Sequence, residues 1–160
     1  MRILGLDPGS QRTGYGCVAP GPDGPTRIAS GVIRLGKGPL PERLARLHTE
    51  LGRLFAVYSP DACAIEGVFH QRNVRSALIL GHARGVCMLA AAVHAVPVAE
   101  YAPARVKLSI VGHGAADKSR VSAMVASILG FEPHDSFDET DALALALCHL
   151  EAQRPLRLVE

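Results

Sequence analysis

Arg2-Ile3-Leu4-Gly5-Leu6-Asp7-Pro8-Gly9 decides how the rest of the chain is read. A run rich in Ile and Leu that closes on Pro-Gly is a short buried strand stopping in a turn. Such a strand has little use for an ionisable group, yet Asp7 stands between the apolar run and the turn. A bare carboxylate is costly to bury unless it is paired or bound to a cation. Asp7 therefore has two readings: a turn cap working through its own backbone, or a metal ligand on a rigid strand that awaits acids from elsewhere in the chain.

Outward from this strand, Thr13-Gly14-Tyr15-Gly16-Cys17-Val18-Ala19 reads as a second strand whose glycines suggest close backbone approach. The loop Pro20-Gly21-Pro22-Asp23-Gly24-Pro25 separates it from a third strand over residues 27–35, so the chain opens with an antiparallel meander. Pro41 starts a helix to about Tyr58, with Leu44, Leu47, Leu51, Leu54 and Phe55 on one face. The following run, Asp61-Ala62-Cys63-Ala64-Ile65-Glu66-Gly67, is a second apolar strand ending in an acid. A helix on either side makes it a parallel strand reached by a crossover. If it lies beside the first, Glu66 and Asp7 emerge at one sheet edge, where functional residues of open α/β sheets gather.

Val68-Phe69-His70-Gln71-Arg72-Asn73-Val74-Arg75 combines an aromatic ring, two guanidinium groups and two amides. Arg grips phosphate with two hydrogen bonds and an aromatic face stacks on an unpaired base. A core-packed Phe69 with ordinary surface arginines is the plainer reading. Residues 76–95 form the most apolar helix, which is either central to the core or part of an interface with a second copy. His82 and His94 on it read as satisfied histidines rather than ligands. Pro97-Val98-Ala99-Glu100-Tyr101 is a further strand, with Glu100 read as structural because Pro103 follows so closely. A short helix over residues 104–111 carries Arg105 and Lys107, Gly112-His113-Gly114 breaks it, and Asp117 caps a helix from Lys118 to about Leu129. This helix–glycine turn–helix layout, basic on both sides, suits backbone contact with phosphates, though a plain helix hairpin accounts for it too.

Ser136-Phe137-Asp138-Glu139 fits a capping box that starts the last helix. The run that follows, from Asp141 to Leu147, is small and apolar, suited to packing on a sheet. Asp138 and Asp141 are three apart and share a face, their Cβ atoms about 5–6 Å from each other. Acids in a first turn suit the helix dipole, but two side by side repel unless a cation lies between them. Four carboxylates thus stand out: Asp7, Glu66, Asp138 and Asp141. Oxygen ligands with no nearby Cys or His pair call for Mg²⁺ or Mn²⁺ rather than zinc. Two such ions about 3.5–4 Å apart suit phosphodiester hydrolysis, and a nearby lysine adds charge stabilisation.

Composition sets the limits. The chain has 160 residues, 48% apolar and 20% charged, an ordinary globular balance with room for a real core. No apolar run reaches the eighteen or so residues of a membrane span, and the N-terminus lacks the basic-then-apolar layout of a secretion signal. Cys17, Cys63, Cys87 and Cys148 are scattered, as expected of reduced thiols in a cytoplasmic protein. A net charge of +2 does not by itself announce a nucleic-acid binder, and only Lys37, Lys107 and Lys118 are lysines.

Several motifs in order, Leu6-Asp7-Pro8-Gly9-Ser10, Thr13-Gly14-Tyr15-Gly16, Ile65-Glu66, Gly81-His82-Ala83-Arg84-Gly85-Val86, Ala116-Asp117-Lys118 and Asp138-Glu139-Thr140-Asp141-Ala142-Leu143-Ala144, closely resemble the RuvC family of bacterial Holliday junction resolvases. The resemblance runs from Met1 to about His149. It implies an α/β, RNase H-like fold: a five-stranded mixed sheet, its first three strands antiparallel, flanked by helices. A nuclease domain over residues 1–153 and a short tail over 154–160 are expected. The resemblance further implies a homodimer that nicks two opposing strands of a four-way DNA junction, with Mg²⁺ or Mn²⁺, two ions per site, on Asp7, Glu66, Asp138 and Asp141. It assigns Phe69 to stacking on a junction base and Lys107 and Lys118 to the cleaved strand. Arg72, Asn73 and Arg75 lie where the family contacts DNA, and the RuvA–RuvB branch-migration machinery is the implied partner. Three other readings are a different RNase H-like nuclease acting on RNA/DNA hybrid or duplex DNA, a non-catalytic junction-binding module, and a sugar-kinase or actin-like phosphate loop. The last needs two lobes that a chain this short lacks.

Overall fold

A computed structural model of the chain describes residues 1–67, 73–132 and 137–153. Ten elements follow in order: β1 (Ile3–Pro8), β2 (Arg12–Gly21), β3 (Gly24–Arg34), α1 (Leu40–Tyr58), β4 (Ala62–Glu66), α2 (Val74–Val93), β5 (Val98–Tyr101), α3 (Pro103–Val111), α4 (Lys118–Leu129) and α5 (Phe137–Ala152). The strands form one mixed sheet in the order β3-β2-β1-β4-β5. β1, β2 and β3 are antiparallel neighbours, whereas β4 runs parallel to β1 and β5 parallel to β4. The expected α/β architecture is the observed one. The loop expected over residues 20–25 is shorter than that, because β2 and β3 run on until only Pro22 and Asp23 turn the hairpin and Gly24 takes φ +138°.

The pleat sends alternate residues to opposite faces, and two cores result. Leu4, Leu6, Cys17, Cys63 and Ile65 pack under α1 and α2, meeting Leu47, Leu51, Phe55, Ala83 and Cys87. Ile3, Val18, Ala62 and Ala64 face α3, α4 and α5, meeting Val106, Ile110, Val125, Leu143 and Ala146. Of the apolar stripe read on α1, Leu47, Leu51 and Phe55 are buried, and Leu44 and Leu54 pack at its margin. All four cysteines are buried and unpaired.

Helix α5 comes down on the sheet because the sheet is glycine-lined beneath it. A Cβ on Gly5 would sit 1.9 Å from the carbonyl oxygen of Ala142, and one on Gly14 would sit 1.9 Å from that of Asp138. Gly16 opens the same track for the Leu143 side chain. The close approach suggested by the glycines is therefore an approach of α5 backbone to β1 and β2.

Caps follow the local sequence. Asp117 accepts from the Arg120 amide at 2.8 Å at the start of α4, and Gly112 ends α3 at φ +81°. Asn73 caps α2 by accepting from the Ser76 amide. Ser136, read as the cap of α5, lies outside the described residues. Its expected partner Glu139 is buried and reaches a different strand, accepting from the Ser30 hydroxyl and lying 3.7 Å from Arg27. His82 Nδ1 is 2.7 Å from the Leu78 carbonyl and His94 Nδ1 is 2.8 Å from that of Ala90, both satisfied within α2.

Helix α2 buries only one side, through Ala83, Cys87, Ala90 and Ala91, and leaves Val74, Leu78, Leu89 and Val93 exposed. By length and composition alone it could cross a membrane, which corrects the expectation that no segment reaches that length. It packs one face on α1 and the sheet, and its first three turns carry Arg75, His82 and Arg84.

Candidate active site

The parallel pairing of β1 with β4 runs from Ile3 opposite Ala62 to Leu6 opposite Ile65, so Asp7 and Glu66 end neighbouring strands at one edge. Both point to the α5 side: Asp7 lies opposite Gly14, whose missing Cβ faces α5, and Glu66 follows Ala64 of the core beneath that helix. The first turns of α5 bring Asp141 over the same edge. The result is a cavity of about 170 Å³ lined by Asp7, Glu66, Lys107, Lys118 and Asp141, with Pro103, Val106, Val121, Ala144 and Leu145 as its apolar wall. Lys107 comes from α3 and Lys118 from the first position of α4. Five residues that are far apart in sequence and were singled out in it therefore face one space.

Asp138 is set to one side. A separation of three residues leaves about 60° between side chains around a helix axis. While Asp141 faces the cavity, Asp138 lines an adjoining open cleft with Gly9, Ser10, Gln11, Arg12, Lys118 and Phe137. Its carboxylate is 3.9 Å from Arg12. Lys118 borders both spaces and joins them. Arg12 was not singled out in the sequence; its place directly after the Pro8-Gly9 turn is the signal that could have found it.

The electrostatics of the cavity are those of crowded negative charge. The Asp7 carboxyl is pushed up to about 7, first by burial, then by Asp141 and Glu66, with Lys118 pulling the other way and Asp138 adding the smallest push. Glu66 is raised by burial and by Asp141, against the pull of Lys118 and Lys107. Lys118 is held more strongly protonated, mainly by the hydrogen bond it donates to Asp141 at 2.9 Å. As the side chains stand, no three His, Cys, Asp or Glu groups among the described residues close round a common point. The Lys118 ammonium is the counter-ion of Asp141 instead. The donor chemistry fits a hard divalent cation nonetheless: the available atoms are carboxylate oxygens, and burial, with their mutual repulsion added, drives Asp7 towards protonation.

Of the residues read as DNA contacts, Phe69 and Arg72 lie outside the described residues. Asn73 is exposed and spends its side-chain oxygen on the α2 cap, and Arg75 is exposed in the first turn of that helix. At the far end of α5, His149 is buried and its Nδ1 lies 2.7 Å from the Tyr101 hydroxyl, with burial lowering the imidazole's proton affinity. That pair belongs to the core beneath α3 and does not line the cavity.

Residues 3–149 match the family described as crossover junction endodeoxyribonuclease RuvC. A protein of that name from Alkalilimnicola ehrlichii is 48% identical over 149 residues, covering 93% of this chain and 90% of the relative. Another from Pseudomonas aeruginosa is 45% identical over 154 residues, covering 96% and 88%. Among solved structures, Thermus thermophilus RuvC superposes with a TM-score of 0.85 at 35% identity, covering 94% of this chain and 93% of that one. The same protein in complex with Holliday junction substrate gives a TM-score of 0.85 at 31% identity. The yeast mitochondrial Holliday junction resolvase Ydc2, at 17% identity and a TM-score of 0.62, shares the fold.

Proposed function

The chain belongs to the RuvC family of crossover junction endodeoxyribonucleases, and from that premise we propose that it resolves four-way DNA junctions by nicking two opposing strands. The observation that carries this is the meeting of Asp7, Glu66 and Asp141 with Lys107 and Lys118 at one sheet edge. It occurs in a chain that superposes along most of its length on a junction-bound relative.

The family's hydrolysis is divalent-metal dependent, and here Mg²⁺ or Mn²⁺, two ions per site, are the proposed cofactors. Asp7, Glu66 and Asp141 would hold them, with Asp138 joining from the adjoining cleft. The chemistry supplied by bound ions is activation of the attacking water and neutralisation of the departing 3′-oxygen. The protein's own part is to hold the carboxylates of Asp7 and Glu66 on rigid strand ends and to bring positive charge to the scissile phosphate. Lys107 and Lys118 line the same cavity as the strand-end acids, where they would face that phosphate. Arg12, 3.9 Å from Asp138 and close after the first turn, adds a third cation for the strand entering the adjoining cleft. Phe69, Arg72, Asn73 and Arg75 are the proposed junction contacts beyond the cavity, Phe69 by stacking on an unpaired base.

A junction with two-fold symmetry calls for a protein with two-fold symmetry, so we assign the active form to a homodimer. The exposed apolar residues of α2, Val74, Leu78, Leu89 and Val93, support that helix as much of the interface. The RuvA–RuvB branch-migration complex is the proposed partner, and a reducing cytoplasm, suited to four buried free thiols, the proposed compartment.

The test is cleavage of a synthetic four-way junction with and without divalent metal, beside linear duplex and RNA/DNA hybrid. Paired symmetric nicks that need metal, together with junction preference retained in metal-free buffer, are the expected result. Equal binding to duplex, or cleavage of the hybrid alone, would overturn it.

A further inference from the structure

Among the described residues, the carbonyl of Glu66 ends β4 without a strand partner. Cys63 in β4 and Gly67 just after it donate their amides to the carbonyls of Pro97 and Tyr101, so these residues turn their peptide groups towards β5. Alternate residues of a strand turn to opposite neighbours, which directs the Glu66 peptide towards β1. The register that sets Leu6 opposite Ile65 continues with Asp7 opposite Glu66. The next donor the ladder requires for the Glu66 carbonyl is the amide of residue 8. That residue is Pro8, which has none.

Arg84 supplies the missing donor. From α2 its Nε donates to the Glu66 carbonyl at 3.2 Å, its Nη1 lies 3.3 Å from Met88 Sδ, and its Nη2 pairs with the Glu100 carboxylate on β5. The Arg84 side chain is 12% exposed while that of Glu100 is 50% exposed, so the guanidinium is held between elements rather than spread on the surface. One rigid fork thus ties α2 and β5 to the main chain of a residue whose carboxylate faces the cavity.

We propose that Arg84 is a positioning residue for the nuclease reaction: by holding the Glu66 carbonyl in place of the amide that Pro8 lacks, it aims the Glu66 carboxylate into the cavity, with Glu100 fixing the fork. This rests on the reading of Glu66 as a metal-holding acid. Metal ligands depend on the groups that orient them, and losing such a partner costs metal affinity and rate while leaving substrate contacts alone.

The experiment compares the parent with Arg84→Ala, Arg84→Lys, Glu100→Gln and Glu66→Gln. It measures nicking of a four-way junction across Mg²⁺ concentrations, junction affinity in metal-free buffer, and the rise in Tm caused by Mn²⁺. For Arg84→Ala the Mg²⁺ needed for half-maximal nicking rises on the order of tenfold. Its Mn²⁺-induced Tm rise shrinks and its metal-free junction affinity stays at the parent value. Arg84→Lys, which keeps one donor and the charge, falls between Arg84→Ala and the parent. A parent-like metal requirement in Arg84→Ala overturns the proposal, as does a defect in junction affinity alone. If Arg84→Ala does not fold, Glu100→Gln carries the test: a raised metal requirement supports the proposal and a parent value overturns it. Glu66→Gln separates the premise, because a variant that still nicks at the parent rate refutes the role of Glu66 itself. An inactive Glu66→Gln beside a parent-like Arg84→Ala refutes only the positioning role.

Discussion

Lys118 Nζ donates to a carboxylate oxygen of Asp141 at 2.9 Å, from the first residue of one helix to the first turns of another. Asp141 is the more enclosed of the two, at 24% side-chain exposure against 66%. The ammonium sits where negative charge is densest and lowers the proton affinity of both Asp7 and Glu66. Lys118→Ala therefore leaves three acids with less compensation. We expect the acidic limb of the nicking pH profile to move to higher pH and the maximal rate to fall about tenfold or more. An unchanged profile measured under single-turnover conditions would remove Lys118 from the site.

Asp7→Asn should abolish nicking while junction binding stays near the parent value, because the proposed phosphate and stacking contacts are made by other residues. A gel-shift titration in EDTA beside a cleavage assay checks both halves. A variant that nicks normally contradicts the role given to Asp7.

The same substitution has a second, thermodynamic signature. The folded-state carboxyl of Asp7 lies at about 7 against an ordinary 3.8, so between those values the folded chain keeps a proton that the unfolded chain has released. This group's contribution is fully present at low pH and is lost as pH rises through the folded value. Metal-free stability should therefore fall by a few kcal/mol between about pH 4 and 7, and stay low above. Asp7→Asn should flatten that slope and raise Tm more at pH 8 than at pH 5. Calorimetry in EDTA at the two values decides it, and an equal change at both contradicts the assignment. Added Mg²⁺ should stabilise the parent chiefly at the higher pH, where the carboxylate is free to bind it.

Gly14→Ala puts a methyl group 1.9 Å from the Asp138 carbonyl oxygen, a main-chain atom that cannot turn aside. Overpacking of this kind costs about 3 kcal/mol or more. It should also lift the start of α5 and lower nicking with stability. Gly52→Ala is the control, since a Cβ there meets nothing within 4 Å in the middle of α1. It should stabilise by about 0.5–1 kcal/mol. Urea denaturation of the two variants should move their midpoints in opposite directions.

Leu89 is 54% exposed on α2, amid the apolar side that no other element covers among the described residues. Leu89→Glu should shift sedimentation towards monomer and reduce the pairing of nicks, with little effect on Tm at low protein concentration. An unchanged sedimentation profile would count against α2 as the interface.

The architecture was largely legible because each strand announces itself locally. β1 and β4 are short apolar runs, and both stop at an acid beside a turn or a glycine. The crossover α1 and the capped α4 follow from periodicity and from Asp117. The meeting of Asp7 with Glu66 could be reasoned from parallel pairing, since both are strand-terminal. Asp138 was harder. Equal spacing from a common face does not say which side of α5 turns to the cavity, and that is set by the glycine track beneath the helix. Glu139 looked like half of a local cap, but its burial against Ser30 and Arg27 depends on strand β3, more than a hundred residues earlier. Arg84 lay within a recognisable stretch, yet its task appears only when Pro8 is seen to leave a carbonyl of another strand unserved.

The glycine track has a wider consequence. At Gly5 and Gly14 the helix meets the sheet carbonyl to α-carbon, with no side chain between them, so the gap between the two layers is set by atoms that no amino-acid replacement in α5 can change. Variation on the outward side of that helix can accumulate without altering how far its acids reach, whereas a single added methyl group on the sheet would move them all at once. The reach of the α5 carboxylates is in that sense a dimension of the polypeptide backbone itself.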